Sequence, residues 1–180
     1  TLNVGGDMNL HNTSSTAVIS GISPLGLGAN FNITGNLVIN ANSPLSSTRV
    51  LSNGPFNAHV GGNVTVENLQ NSPVEFLSAT TFNLVAGGNI LIQSASTPIA
   101  PPFPDAVVGV NSATTGPLTM IAGGNITLGR RAQVFIANND TAFFRAQKNI
   151  TMGFQSFIDS PTFAGGPNQS VTLVVDNQAP

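Results

Sequence analysis

Apolar and polar residues alternate in short runs along this chain, and a recurring phrase punctuates the runs. Its clearest copies are Ala86-Gly87-Gly88-Asn89-Ile90-Leu91-Ile92 and Ala122-Gly123-Gly124-Asn125-Ile126-Thr127-Leu128. Two more read Val4-Gly5-Gly6-Asp7-Met8-Asn9-Leu10 and Val60-Gly61-Gly62-Asn63-Val64-Thr65-Val66. Weaker copies are Ile33-Thr34-Gly35-Asn36-Leu37-Val38-Ile39 and Ala146-Gln147-Lys148-Asn149-Ile150-Thr151-Met152. Aligned on the Asn or Asp, they fall at 7, 36, 63, 89, 125 and 149, at intervals of 29, 27, 26, 36 and 24 residues. A repeat of this length decides the architecture before local propensity does.

Four positions around the aligned residue are apolar in all six copies. Five before it stand Leu2, Phe31, Ala58, Leu84, Met120 and Phe144; three before it stand Val4, Ile33, Val60, Ala86, Ala122 and Ala146. One after it come Met8, Leu37, Val64, Ile90, Ile126 and Ile150; three after it come Leu10, Ile39, Val66, Ile92, Leu128 and Met152. Apolar residues at i and i+2, with a tolerant residue between them, are the period of a strand with one buried face. Each unit therefore predicts strand, tight turn, strand. The glycines are expected to supply positive φ at the turn, and Asn to tolerate a left-handed backbone.

Two architectures could use that unit. In a hairpin sheet the strands flanking each turn pair with one another. In a solenoid the turn is a corner, and each strand pairs in parallel with its equivalent one repeat away. The solenoid explains more, because coils stacked about 4.8 Å apart make aligned residues into physical neighbours. It also stacks Asp7, Asn36, Asn63, Asn89, Asn125 and Asn149 in one structural ladder, whose amides can hydrogen-bond from coil to coil.

Each unit carries a third strand: Ala17-Val18-Ile19, Arg49-Val50-Leu51, Val74-Glu75-Phe76-Leu77, Val107-Val108, Val134-Phe135-Ile136 and Phe157-Ile158. Three strands per turn predict a triangular parallel β-helix of about six to seven coils, each of roughly 25–29 residues, forming a single domain over 1–180. A proline-rich insertion over 94–105 must loop away from the fourth coil, since proline cannot donate to a ladder. Gly165-Gly166 resembles a seventh turn, with Val171–Val175 as the strand that follows, and 176–180 trails as a tail. Helix signals are almost missing, so the class is all-β.

Composition adds a surface to this skeleton. Only 12 of 180 residues are charged, 7% against about 25% in ordinary domains, and the net charge is −2. Such a chain has no field with which to attract nucleic acid. No window is long enough for a membrane-spanning helix, so membrane insertion is not expected. Without cysteine there is neither a disulfide nor a thiolate metal site. Neither end of the repeat carries a charged cap. That predicts either flanking repeats of a longer chain or copies of this one assembled head-to-tail or laterally.

The phrase Ala-Gly-Gly-Asn-Ile-Thr-Leu, as at 122–128, resembles the repeats of large bacterial secreted exoproteins of the filamentous haemagglutinin type, and of other β-helical adhesins. The resemblance covers six units. It implies a right-handed parallel β-helix, an extracellular or bacterial cell-surface location, and a role in adhesion, aggregation or biofilm scaffolding. It carries over no functional residue.

Chemistry is sparse. The carboxylates are Asp7, Glu67, Glu75, Asp105, Asp140, Asp159 and Asp176, and no two stand at i, i+2 as a sugar-cleaving pair would favour. Glu67 reads as the start of a loop, His11 as part of a polar loop, and His59 as an outward-facing strand residue. No catalytic, cofactor-binding or metal-ligating residue is assigned, and no cofactor is expected. Arg130, Arg131, Arg145 and Lys148 fall in neighbouring coils and form the candidate surface-binding group. The expected role is a non-enzymatic stiff rod segment or filament subunit. A glycan-binding or polysaccharide-cleaving β-helix module is the alternative, with glycans as its partners.

Overall fold

The computed structural model describes residues 1–12, 16–21, 28–42, 47–69, 74–94, 106–110, 116–136, 140–159 and 170–176. Among these residues the chain is all-β, with no helix, and its strands form three parallel sheets wound as a β-solenoid. Sheet I contains β1 (Leu2–Val4), β4 (Ala29–Ile33), β7 (Phe56–Val60), β10 (Phe82–Ala86), β13 (Leu118–Ala122), β16 (Thr141–Ala146) and β19 (Ser170–Val175), in that order. Sheet II stacks β2 (Met8–Asn12), β5 (Leu37–Ala41), β8 (Val64–Asn68), β11 (Ile90–Ser94), β14 (Ile126–Leu128) and β17 (Ile150–Met152). Sheet III stacks β3 (Thr16–Gly21), β6 (Ser47–Ser52), β9 (Val74–Ser78), β12 (Ala106–Val110), β15 (Ala132–Phe135) and β18 (Phe157–Asp159).

Each strand pairs with its equivalent in the next unit, and the two strands flanking a Gly-Gly turn lie in different sheets. That excludes the hairpin. The register follows the sequence alignment: Leu84 sits between Ala58 and Met120, and Ile90 between Val64 and Ile126. Alternation then decides the interior. In β10 and β11 the residues at i and i+2 are buried and those between are half-buried.

The closed core runs through about four turns, from Phe31 to Ala146. Its centre is aromatic. Phe56 meets Phe31 and Phe76 edge-on at 5.0 and 4.8 Å between ring centres, and stacks on Phe82 at 5.6 Å. Such pairs add about 0.5–1.5 kcal/mol each beyond their burial. Where sheet III turns into sheet I, the buried hydroxyl of Ser78 lies 2.8 Å from the carbonyl oxygens of both Gly54 and Thr81. The Ser78 hydroxyl is thus satisfied by main chain, whereas the buried Thr80 Oγ1 beside it has no hydrogen-bond partner among the described residues.

The corner glycines correct one expectation. Among the described glycines only Gly109 has positive φ, at 136°, so the Gly-Gly turns are not left-handed corners. Close approach selects glycine there instead. A Cβ on Gly87 would lie 2.3 Å from the Gly61 carbonyl oxygen, and one on Gly88 2.4 Å from Asn63 Oδ1. The left-handed residues are Arg131 and Gln155, equivalent positions of the turns between sheets II and III.

Three further expectations change. His11 and Glu67 lie within strands β2 and β8 rather than in loops. The last strand, read as following a seventh Gly-Gly turn, belongs to sheet I and precedes the corner, with Leu173 beside Phe144 and Val175 beside Ala146. Of the proline-rich segment 94–105, only Ser94 is described; its Oγ accepts the Ala106 N–H at 2.9 Å. The tail beyond Asp176 also lies outside the described residues.

Candidate functional site

The corner between sheets I and II brings the aligned Asn/Asp residues into one directional ladder. Asn36 donates its backbone N–H and Nδ2 to Asp7 Oδ1 at 2.6 and 3.0 Å. Asn63 does the same to Asn36 at 2.8 and 3.2 Å, Asn89 to Asn63 at 2.8 and 3.1 Å, and Asn125 to Asn89 at 2.8 and 3.0 Å. Asn149 reaches Asn125 Oδ1 through Nδ2 alone, at 3.0 Å. The oxygens of Asp7, Asn36, Asn63 and Asn89 thus each serve two donors of the next coil.

Glycine spacing and ladder geometry are coupled. Where both corner residues are glycine, their N–H groups reach the previous coil at 2.8–2.9 Å, as with Gly87 to Val60 and Gly124 to Gly88. Thr34, Gln147 and Lys148 carry side chains at equivalent places, and their bonds stretch to 3.1 Å.

A second amide column, which the sequence reading missed, runs up the outer face of sheet I. Asn57 Nδ2 donates to Asn30 Oδ1 at 3.1 Å and Asn83 Nδ2 to Asn57 Oδ1 at 2.8 Å, while Asn32 joins Asn3 at 2.8 Å. Extending the alignment to the sixth residue before each ladder position would have found it. On sheet II, His11 bonds Asn40 and Gln93 bonds Glu67.

The four basic residues fall at two turns of the chain. Arg145 and Lys148 flank the corner entering β17, whereas Arg130 and Arg131 occupy the turn leaving β14, at the opposite edge of sheet II. Arg145 pairs with Asp176, and the Arg130 guanidinium lies 5.9 Å from the centre of the Phe154 ring. Across sheet III, Arg49 pairs with Glu75 at 3.1 Å.

Of the seven carboxylates, Asp105 and the Asp159 side chain lie outside the described residues. The other five occupy five different columns. Among the described residues no three His, Asp or Glu side chains gather as a metal ion would require, and no helix is long and apolar enough to cross a membrane. Among the described residues, two hollows open widely to the surface. One of about 450 Å³ lies over Ile33, His59, Val60 and Val85, and another of about 400 Å³ lies beside Arg49, Asn53 and Glu75.

Among the described residues, the large exposed apolar side chains lie in β19, β17 and the turn after β17. Val171, Leu173 and Val175 of β19 are 44%, 51% and 46% exposed, although they stand in columns whose lower members Ala142, Phe144 and Ala146 are buried. Met152 and Phe154 extend the patch across β17 and its turn. At the opposite end Leu2, Val4, Met8 and Leu10 are partly buried against the core.

Fold and surface together define a parallel β-solenoid with amide ladders, an almost uncharged face and an apolar end. No family model, curated protein or solved structure matches the chain.

Proposed function

We propose that this chain is a structural, non-enzymatic β-solenoid that works by length and stiffness, as a rod segment or self-assembling filament subunit at a bacterial cell surface or outside the cell. In this reading the coil is right-handed, with six full turns and the opening strand of a seventh, in the manner of the haemagglutinin-type exoproteins and β-helical adhesins its phrase resembles. Adhesion, aggregation or scaffolding of a biofilm follows from a neutral, amide-rich rod. The observation that carries the reading is the apolar face at β19, whose core-column side chains no described strand covers on the side away from β16. An edge of that kind recruits another strand unless it is covered. A further copy of the chain, or adjoining repeats, supplies the matching surface.

Negative-stain electron microscopy of purified protein, over a concentration series, tests the reading. Fibres or end-to-end rods are expected, and Leu173→Lys should abolish them without loss of the folded monomer. A strictly monomeric particle at every concentration argues against filament assembly. Release of reducing ends from an acidic polysaccharide would favour the glycan-active alternative.

A further inference from the structure

We propose that Asn53 is a site of spontaneous covalent modification, in which the Gly54 backbone nitrogen attacks the Asn53 side-chain amide. Gly54 N loses its proton and bonds to Asn53 Cγ, and the side-chain nitrogen takes up a proton and leaves as ammonia. Water then opens the cyclic imide at either carbonyl, leaving an aspartyl or an isoaspartyl residue. No oxidant or cofactor is needed. Three local features govern the rate: steric bulk on the residue after Asn, hydrogen bonding of the attacking N–H, and freedom of the carboxamide to swing.

Asn53 differs from the ladder in all three. Asn53-Gly54 is the one Asn-Gly pair in the chain, whereas the ladder asparagines precede Leu37, Val64, Ile90, Ile126 and Ile150. For four of the five ladder asparagines the attacking nitrogen is locked: Leu37 N–H to Asn63 O at 2.9 Å, Val64 to Asn89 at 2.8 Å, Ile90 to Asn125 at 2.8 Å and Ile126 to Asn149 at 2.9 Å. Their carboxamides are locked as well, each by the rung above or below. Gly54 is buried beneath the exposed Asn53, but its N–H donates to Ser52 Oγ only at 3.4 Å, beyond the usual range for such a bond. Asn53 itself is exposed, in the bend between β6 and β7.

The product changes its surroundings. A carboxylate at 53 enters the hollow shared by Arg49 and Glu75 and competes for the guanidinium. The isoaspartyl form lengthens the main chain just before the Gly54 carbonyl that the Ser52 and Ser78 hydroxyls hold, at 3.0 and 2.8 Å. The amide columns that bind the coils together are spared.

Peptide mass mapping of the folded chain, aged in mildly alkaline buffer, tests this. Asn53 should convert at least about tenfold faster than any ladder asparagine, a rate gap that needs only about 1.4 kcal/mol of barrier. Both acidic products should appear, and Asn53→Gln should lack them while keeping the β-sheet spectrum. Conversion at Asn53 no faster than in the ladder overturns the proposal. So does a folded chain that keeps Asn53 intact while its urea-denatured form converts it, since the fold would then be protecting the site.

Discussion

At the residue scale, each corner glycine from Gly35 to Gly124 makes room for an oxygen of the coil beneath. Adding one methyl therefore tests stacking distance directly. Gly87→Ala places Cβ against the Gly61 carbonyl, a backbone atom with little freedom to move, and should cost about 1–3 kcal/mol in thermal or urea unfolding. Gly6→Ala meets nothing within 4 Å and should stay within about 0.5 kcal/mol of the parent. The ladder makes a matching pair. Asn89→Ala removes an acceptor of two bonds and a donor of one, and should cost about 1–2 kcal/mol. Asp7→Asn keeps the Oδ1 acceptor that Asn36 uses and should stay within about 0.5 kcal/mol. The amide column is legible in the sequence, because stacking turns equal alignment positions into neighbours. The reason for the glycines is not legible. A conserved-looking Gly-Gly is the same string whether positive φ or close approach selects it, and only the placement of Thr34, Gly61 and Asn63 around the corner separates the two.

At the element scale, period-two alternation specified the strands and the columns, including the third strand of every unit. It could not specify which sheet the last strand joins. Val171, Leu173 and Val175 satisfy the apolar i, i+2 pattern of sheet I and sheet II equally, and Gly165-Gly166 imitates a corner. Pairing with β16 settles the matter. The basic residues illustrate the same limit: sequence proximity places them in adjacent coils, and the structure adds that they sit at turns on either side of the three-residue strands of sheet II. Within the core, elements meet through large side chains that repeats alone do not reveal. Phe56 from β7 touches rings from β4, β9 and β10, so Phe56→Ala should cost about 3–5 kcal/mol, read as a fall in the urea midpoint.

For the whole molecule, stability is shared between neighbouring coils, and each strand depends on the one before and the one after. The proposed role as a rod or filament rests on that same parallel, in-register stacking. Paired cysteines test it most directly, since the chain has none of its own. Asn57 and Asn83 are register partners on adjacent strands, as are Asn83 and Thr119, whereas Asn57 and Thr119 are separated by the whole of β10. Parallel neighbours about 4.8 Å apart lie within disulfide reach, and residues two strands apart do not. The account predicts rapid oxidative cross-linking of Asn57→Cys/Asn83→Cys and Asn83→Cys/Thr119→Cys, and none of Asn57→Cys/Thr119→Cys. Failure of both adjacent pairs, together with ready cross-linking of Val85→Cys/Leu91→Cys across the Gly-Gly turn, would show a hairpin sheet and contradict it.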